Sequence, residues 1–444
     1  MSLEEEEKIG KEVLQELSKE IELIRDMEIV AYISSLGDFL IKKGVSFSPF
    51  KFRFYVIKDK TFNAFSVPGG YIFLNTGLFN YVESEDELAA IIAHEISHNL
   101  ARHVAKRLET IKRMQVATTA TTIAALLLGG GKAGQIVGIS GLALAQTKLL
   151  AYSRADEEEA DRLGFEIHTK AGFSPIAMVN IFQKLSKESN FAIELNFRYL
   201  LTHPLPQERV NYLQNLAEKY YIPYKDTYSF SKDPIYFQRI KAKVRVLSED
   251  PSDLILSLRT QLREKEDPWI RYQLALALIQ ARFFYEAERE LKLSLKDLPP
   301  KEYFLMDLAE FYFNKGDYSR TMEILYGLSF NGKLSYLLNL KKQYLLARSL
   351  MEVGEVSKAY DMFKSLEEEK IVKEEPYFYF YLGLVCSKME LYGESHFYFG
   401  KFYENRGDFK TALFHYKRAL SFLRKDSKIY TETQEKIQIL EKKK

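Results

Sequence analysis

The segment Ala93-His94-Glu95-Ile96-Ser97-His98 has the residue types and spacing for metal-assisted hydrolysis. On a helix, His94 and His98 lie one turn apart on the same face, where two imidazoles can share one Zn2+. Glu95, beside the first of them, is placed to polarise a water on that ion. The chemistry needs a helix, and the flanks supply one. Ser84-Glu85-Asp86-Glu87 reads as a capping box, with acids at the positive end of the helix dipole. Leu88, Ile91, Ile92 and Leu100 then give an apolar stripe of helical period, and no Gly or Pro interrupts 84–107. The competing reading is an amphipathic helix with two incidental histidines. A third ligand elsewhere would count against it.

Two later segments offer further ligands. Ser153 can cap a helix that runs to about Lys170 and carries Asp156, Glu157, Glu158, Glu159 and Asp161. A run of acids is usually solvated, but here it leads into Leu163-Gly164-Phe165 on an amphipathic helix, so some acids must face inward. An inward carboxylate needs a cation, and zinc held by two histidines would be one. His203 precedes Pro204, which holds its backbone extended and lets the ring project from a loop. The structural alternative for His203 is a hydrogen-bonded loop histidine.

The elements that must position these residues follow from pattern. Residues 4–44 read as helix with a break near Asp26. Residues 51–58 alternate as a strand, Pro68-Gly69-Gly70 makes a tight turn, and Tyr71–Asn75 is a second strand. A short antiparallel sheet beside the metal helix is the general plan of zincin proteases. The strand 71–75, with Tyr71, Phe73 and Asn75, is then a candidate substrate-binding edge for an extended peptide. A purely structural hairpin is the equal alternative. Residues 115–150 are small and apolar around Gly129-Gly130-Gly131, too short in either half to span a bilayer. They read as a helical hairpin, with a lid or a peripheral membrane contact as the second choice.

With 444 residues the chain has room for two or three domains, and its formal net charge of +2 gives no reason to expect nucleic acid as a partner. Cys386 is the single cysteine, which excludes an intrachain disulfide and a Cys-based metal site and reads as a small buried apolar residue. Met1-Ser2-Leu3 runs straight into four glutamates, unlike a signal peptide.

Taken together, His94-Glu95-x-x-His98, Glu157-x-x-x-Asp161, and His203-Pro204 with Arg209 resemble the gluzincin family that includes the CAAX prenyl protease, HtpX and the soluble BepA-like members. Asn63-Ala64-Phe65, Pro68-Gly69-Gly70 and Asn75-Thr76-Gly77 resemble that family's segment before the metal helix. The resemblance implies that Glu157 is the third zinc ligand, that Asp161 orients a ligand histidine, and that one zinc is bound per chain. It places the His203 loop at the cleft. There His203 either donates to the oxyanion or fills zinc's fourth position and keeps the enzyme latent; latency is the favoured choice. Arg209 is an alternative oxyanion donor. The long membrane spans of the prenyl protease and HtpX are missing, so the resemblance is to periplasmic members whose leader has been removed. It implies protein or peptide substrates, and a role in envelope protein quality control beside the outer-membrane protein assembly machinery.

From residue 227 the character changes. Leu274-Ala275 recurs as Leu308-Ala309, Gly316-Asp317-Tyr318 and Gly407-Asp408-Phe409 turn helix pairs, and the period of 34 is that of tetratricopeptide repeats. Residues 234–262 read as a degenerate first unit and 427–442 as a capping helix. His103, His168, His396 and His415 read as structural. The expected architecture is therefore mainly α: a zincin-type metallopeptidase domain with a small antiparallel β-sheet over 1–226, then an all-α repeat superhelix over 227–444. The expected activity is zinc-dependent endopeptidase. The alternative is a chaperone-like repeat protein with latent or weak proteolysis.

Overall fold

The computed structural model describes residues 1–113, 120–127, 152–189, 199–220, 230–231, 233–332, 334–373, 375 and 377–442. The chain divides into two compact units, Met1–Ile24 with Tyr32–Ser257, and Arg25–Ala31 with Leu258–Lys444.

The chain opens with α1 (Leu3–Glu20) and α2 (Met27–Gly44), α2 joining the first unit from Tyr32 onward, and the break falls where Asp26 was expected to make it. Asp26 Oδ1 caps α2 by accepting from the Glu28 and Ile29 N–H groups at 3.0 Å. Three strands follow, β1 (Arg53–Ile57), β2 (Ala64–Val67) and β3 (Tyr71–Asn75), then a 3-10 turn at Thr76–Asn80. The sheet order is β1-β3-β2, with β1 parallel and β2 antiparallel to β3, so the sheet is mixed, not purely antiparallel. Gly69 and Gly70 make the β2–β3 turn at φ +83° and +85°, which side chains with a Cβ rarely adopt. The Gly70 N–H donates to Asn99 Oδ1 at 3.1 Å and pins the hairpin to the next helix.

This topology corrects one expectation. β3 is the central strand, paired on both sides, and all five of its residues are buried. Tyr71 and Phe73 pack into the apolar core with Val13, Leu17, Phe65 and Val67, and Asn75 Nδ2 donates to Thr61 Oγ1 at 3.0 Å. Tyr71, Phe73 and Asn75 therefore form no edge. The two outer strands are β1 and β2, and all four residues of β2 are buried, so it carries no polar–apolar alternation to reveal a strand.

Next come α3 (Glu85–Leu100), α4 (His103–Arg113), α5 (Ala120–Leu127), α6 (Arg154–Lys170), α7 (Pro175–Ser189), the single turn α8 (Tyr199–Thr202), α9 (Gln207–Lys219) and α10 (Pro234–Ser248). Of the segment 115–150, only α5 lies among the described residues. Ser84 caps α3 as expected, accepting from the Glu87 N–H at 3.2 Å. Glu87 bonds instead to the Glu83 N–H and to Lys184, so the reciprocal half of the box is not made. α3 is no surface stripe: every residue from Glu87 to Asn99 is buried. α6 lies so close to it that a Cβ on Gly164 would meet His94 Cα at 3.1 Å. α10 also belongs to this unit, with Lys241 Nζ donating to the Val82 carbonyl at 2.6 Å. The unit thus extends past the boundary at 226 expected from composition.

The second unit is a run of helix pairs. After α11 (Pro251–Glu264) come α12 (Pro268–Gln280) with α13 (Phe284–Asp297), and α14 (Glu302–Lys315) with α15 (Tyr318–Gly327). Corresponding helices of these two pairs start 34 residues apart. α16 (Ser335–Glu352) and α17 (Val356–Leu366) follow, then the single turn α18 (Lys370–Lys373), α19 (Phe378–Lys388) with α20 (Tyr392–Asn405), and α21 (Phe409–Leu420) with the closing α22 (Lys428–Glu441). The small residues at the repeat positions, Ala275, Ala287, Ala309, Ala347, Ala359 and Ala412, are all fully buried, as close helix approach requires. Cys386 is buried among them, and burial pushes its thiol up to about 12. Among the described residues no helix is long and apolar enough to cross a membrane.

His168 joins α6 to the start of α3. Its Nε2–H donates to the Asp86 carbonyl at 3.0 Å, its ring stacks on Phe173, and burial lowers its pKa to about 4. A base with a depressed folded pKa stays neutral while the unfolded chain, titrating near 6.5, takes up a proton. Stability is therefore full above about pH 6.5 and is lost as pH falls toward 4, by about 3 kcal/mol. Urea unfolding between pH 4 and 7 should show this slope in the wild type and a flatter one in His168→Gln. Equal slopes would remove His168 from the account.

Candidate metal centre

The centre is assembled by α3, α6 and the loop between α8 and α9. His94 and His98 point from one face of α3 and bring their Nε2 atoms within 3.0 Å of each other. α6, held close by Gly164, supplies Glu157: Oε2 lies 3.6 Å from His94 Nε2 and Oε1 lies 3.4 Å from His98 Nε2. The His203 N–H donates to the Tyr199 carbonyl at 2.8 Å, and this turn aims Nδ1 to 3.0 Å from Glu157 Oε1. One ligand atom from each of His94, His98, Glu157 and His203 lies within 4.8 Å of the others, and all four residues are buried.

This donor set fits zinc. Four ligands at 2.0–2.1 Å in a tetrahedron stand about 3.3 Å apart; the separations among His94, His98 and Glu157 and from Glu157 to His203 run from 3.0 to 3.6 Å, within a cluster whose ligand atoms all lie within 4.8 Å of one another. Burial, first of all, holds His94 below the ordinary imidazole range and His98 and His203 well below it. The three rings are therefore neutral near pH 7, the form in which imidazole binds a metal.

The carboxylates divide the work. Burial pushes Glu157 up to about 7 against the pull of Arg209. Burial would also raise Asp161, but Arg209 outweighs it and holds Asp161 below the carboxylate range. Arg209 Nε and Nη2 each donate to an Asp161 oxygen at 2.7 Å, while Nη1 lies 2.5 Å from Glu157 Oε2 and donates to the Pro204 carbonyl at 2.6 Å. Asp161 Oδ1 is 3.2 Å from His94 Nδ1, within reach of an N–H on that ring. Glu95 is fully buried, and burial followed by the charge of Glu157 raises its carboxyl well above the usual range. Glu95 Oε1 lies 3.5 Å from His203 Nε2, a nitrogen without a hydrogen-bond partner among the described residues.

Two tyrosines and one histidine complete the centre, and none had a sequence signal. Tyr199 stacks on His203 at 4.3 Å, and its buried hydroxyl has no hydrogen-bond partner among the described residues. Tyr152 stacks on His98 at 3.9 Å and lies 5.0 Å from His203. His103, read as structural, brings its Nδ1 to 3.1 Å from His98 Nδ1.

Comparison with known proteins agrees with this geometry. Residues 30–217 match Peptidase family M48. The chain carries an M48 peptidase domain, homologous to that of the beta-barrel assembly-enhancing proteases. It is 32% identical to the Beta-barrel assembly-enhancing protease of Yersinia pestis over 314 residues, 69% of this chain and 62% of the relative. The corresponding protease of Escherichia coli (strain K12) is 30% identical over 322 residues, 70% of this chain and 63% of the relative. The chain thus spans less than two thirds of the length of these relatives. Mitochondrial metalloendopeptidase OMA1 of Schizosaccharomyces pombe is 31% identical over 168 residues, 38% of this chain and 47% of the relative.

Arg209 faces two buried carboxylates, so removing it should leave uncompensated charge. Arg209→Met is expected to destabilise the zinc-free protein by about 3–5 kcal/mol. Added zinc, a replacement cation, should restore part of the loss in a thermal melt. A zinc-free variant as stable as the wild type would show that the arginine does not balance these acids.

Proposed function

We propose that the chain is a zinc-dependent endopeptidase that hydrolyses peptide bonds of protein substrates. The supporting observation is the convergence of His94, His98 and Glu157 on one point with Glu95 buried beside it. Bound zinc supplies Lewis acidity there, making water acidic near neutral pH and polarising a carbonyl. Glu95 takes the proton of the attacking water and passes it to the leaving amine. Asp161 fixes His94, and Arg209 balances Asp161 and Glu157. All three guanidinium nitrogens of Arg209 are engaged by these carboxylates and by Pro204, so we assign it to positioning and not to the oxyanion.

His203 supports a latent enzyme. Its ring lies within the ligand set and beside Glu95, where it would fill the position that water needs. Substrate would pair with β2, which is terminal in the sheet and packs beside α3. The relatives' names speak of β-barrel assembly. With the resemblance, this supports a periplasmic setting, envelope quality control, and repeats that recruit substrates or the outer-membrane assembly machinery. A chaperone-like role with weak proteolysis is the second reading, favoured by the same placement of His203.

Glu95→Gln should keep its zinc and lose casein digestion, because Gln is nearly isosteric but cannot accept the proton. Loss of zinc from that variant by elemental analysis, with the wild type retained, would make Glu95 a ligand instead. His203→Ala should raise basal proteolysis if the ring holds the site shut. A fall in kcat of about 10²–10³ would instead mark His203 as an oxyanion donor.

A further inference from the structure

α3 ends at Leu100 and α4 begins at His103, and between them Arg102 adopts a left-handed φ of +58°. A continuous helix would set residue 103 about 140° around the axis from residue 98. The left-handed turn brings His103 back over His98 instead. Such a conformation is costly for a residue with a Cβ and persists only where its surroundings hold it. Arg102 is held: its Nε donates to Glu6 Oε1 at 2.7 Å, and Glu6 is 1% exposed.

The turn builds a chain of three groups. When His98 Nε2, which faces His94 Nε2 and Glu157 Oε1, gives its lone pair to a metal at that point, its proton sits on Nδ1. The Nδ1–H then donates to His103 Nδ1 across 3.1 Å. This leaves the His103 proton on Nε2, which donates to Glu159 Oε2 at 3.1 Å, with Asp156 Oδ1 at 3.6 Å. The His103 side chain is fully buried, whereas that of Glu159 is 45% exposed.

We propose that His103 is a positioning residue for the metal: it locks His98 in the tautomer that offers Nε2 to zinc, and Glu159 anchors it from the surface. The two ligand histidines are thus oriented differently. His94 meets a carboxylate neutralised by arginine, while His98 meets an imidazole tied to a surface acid. The inference rests on the zinc reading above.

The test measures zinc affinity of the full chain by chelator competition, not activity. His103→Ala should weaken zinc binding about tenfold to hundredfold, the effect of losing such a support. His103→Asn, whose side-chain oxygen can accept from His98, should recover part of the loss, and Glu159→Gln should cost less than His103→Ala. Imidazole 15N shifts of the zinc-free protein should show one His98 tautomer in the wild type and a mixture in His103→Ala. A purely structural His103 would lower the melting temperature and leave zinc affinity and tautomer unchanged, which overturns the proposal. Should His103→Ala not fold, equal zinc affinity in Glu159→Gln, His103→Asn and wild type overturns it as well. A wild-type chain that binds no zinc removes the metallopeptidase reading together with this one.

Discussion

One guanidinium holds the centre together. Glu157 and Asp161 lie one turn apart on α6, both buried, where two like charges would repel and neither could be hydrated. Arg209 sits against both and makes the pair tolerable. With Asp161 ionised, His94 has an acceptor for Nδ1–H and turns Nε2 inward. Glu157, within reach of ionisation, faces both rings and completes a cluster that could hold a metal ion. The close packing of α6 on α3 at Gly164 serves the same end, since a wider gap would draw the carboxylates away from the rings.

The parts of the fold that repeat locally were legible in the sequence. The break at Asp26, the caps at Ser84 and Ser153, the start of α7 at Pro175 and the thirty-four-residue period all lie where spacing and turn chemistry put them. Strand order was not legible. β2 and β3 are buried throughout, so neither shows in its pattern that β3 lies between the other two strands. The division into two compact units falls after Ser257, beyond the change of composition near residue 227. α10 has the composition of a repeat helix, but Lys241 and its neighbours pack on the turn before α3.

In the site, the motif and its resemblance led to His94, Glu95, His98, Glu157, Asp161 and His203, which the structure brings together. They also led to Arg209, though in a different setting from an oxyanion donor. His103 was hidden because helical periodicity carries it away from His98, and only a left-handed residue reverses that. Tyr152 and Tyr199 were hidden because a lone tyrosine carries no spacing signal.

The hydrogen bond from Arg209 to the Pro204 carbonyl has a consequence for control. It ties the residue after His203 to the same side chain that balances Glu157 and Asp161. Loop and ligand set therefore share an anchor, and their equilibria are linked. Displacing the loop changes how firmly Arg209 holds Glu157 and Asp161, and filling the metal site changes how firmly the loop is held. The coupling free energy is equal in both directions. A substrate strong enough to draw His203 away would feel the metal's occupancy in its own affinity, so a chain without metal and a chain with metal would differ in readiness to open as well as in chemistry.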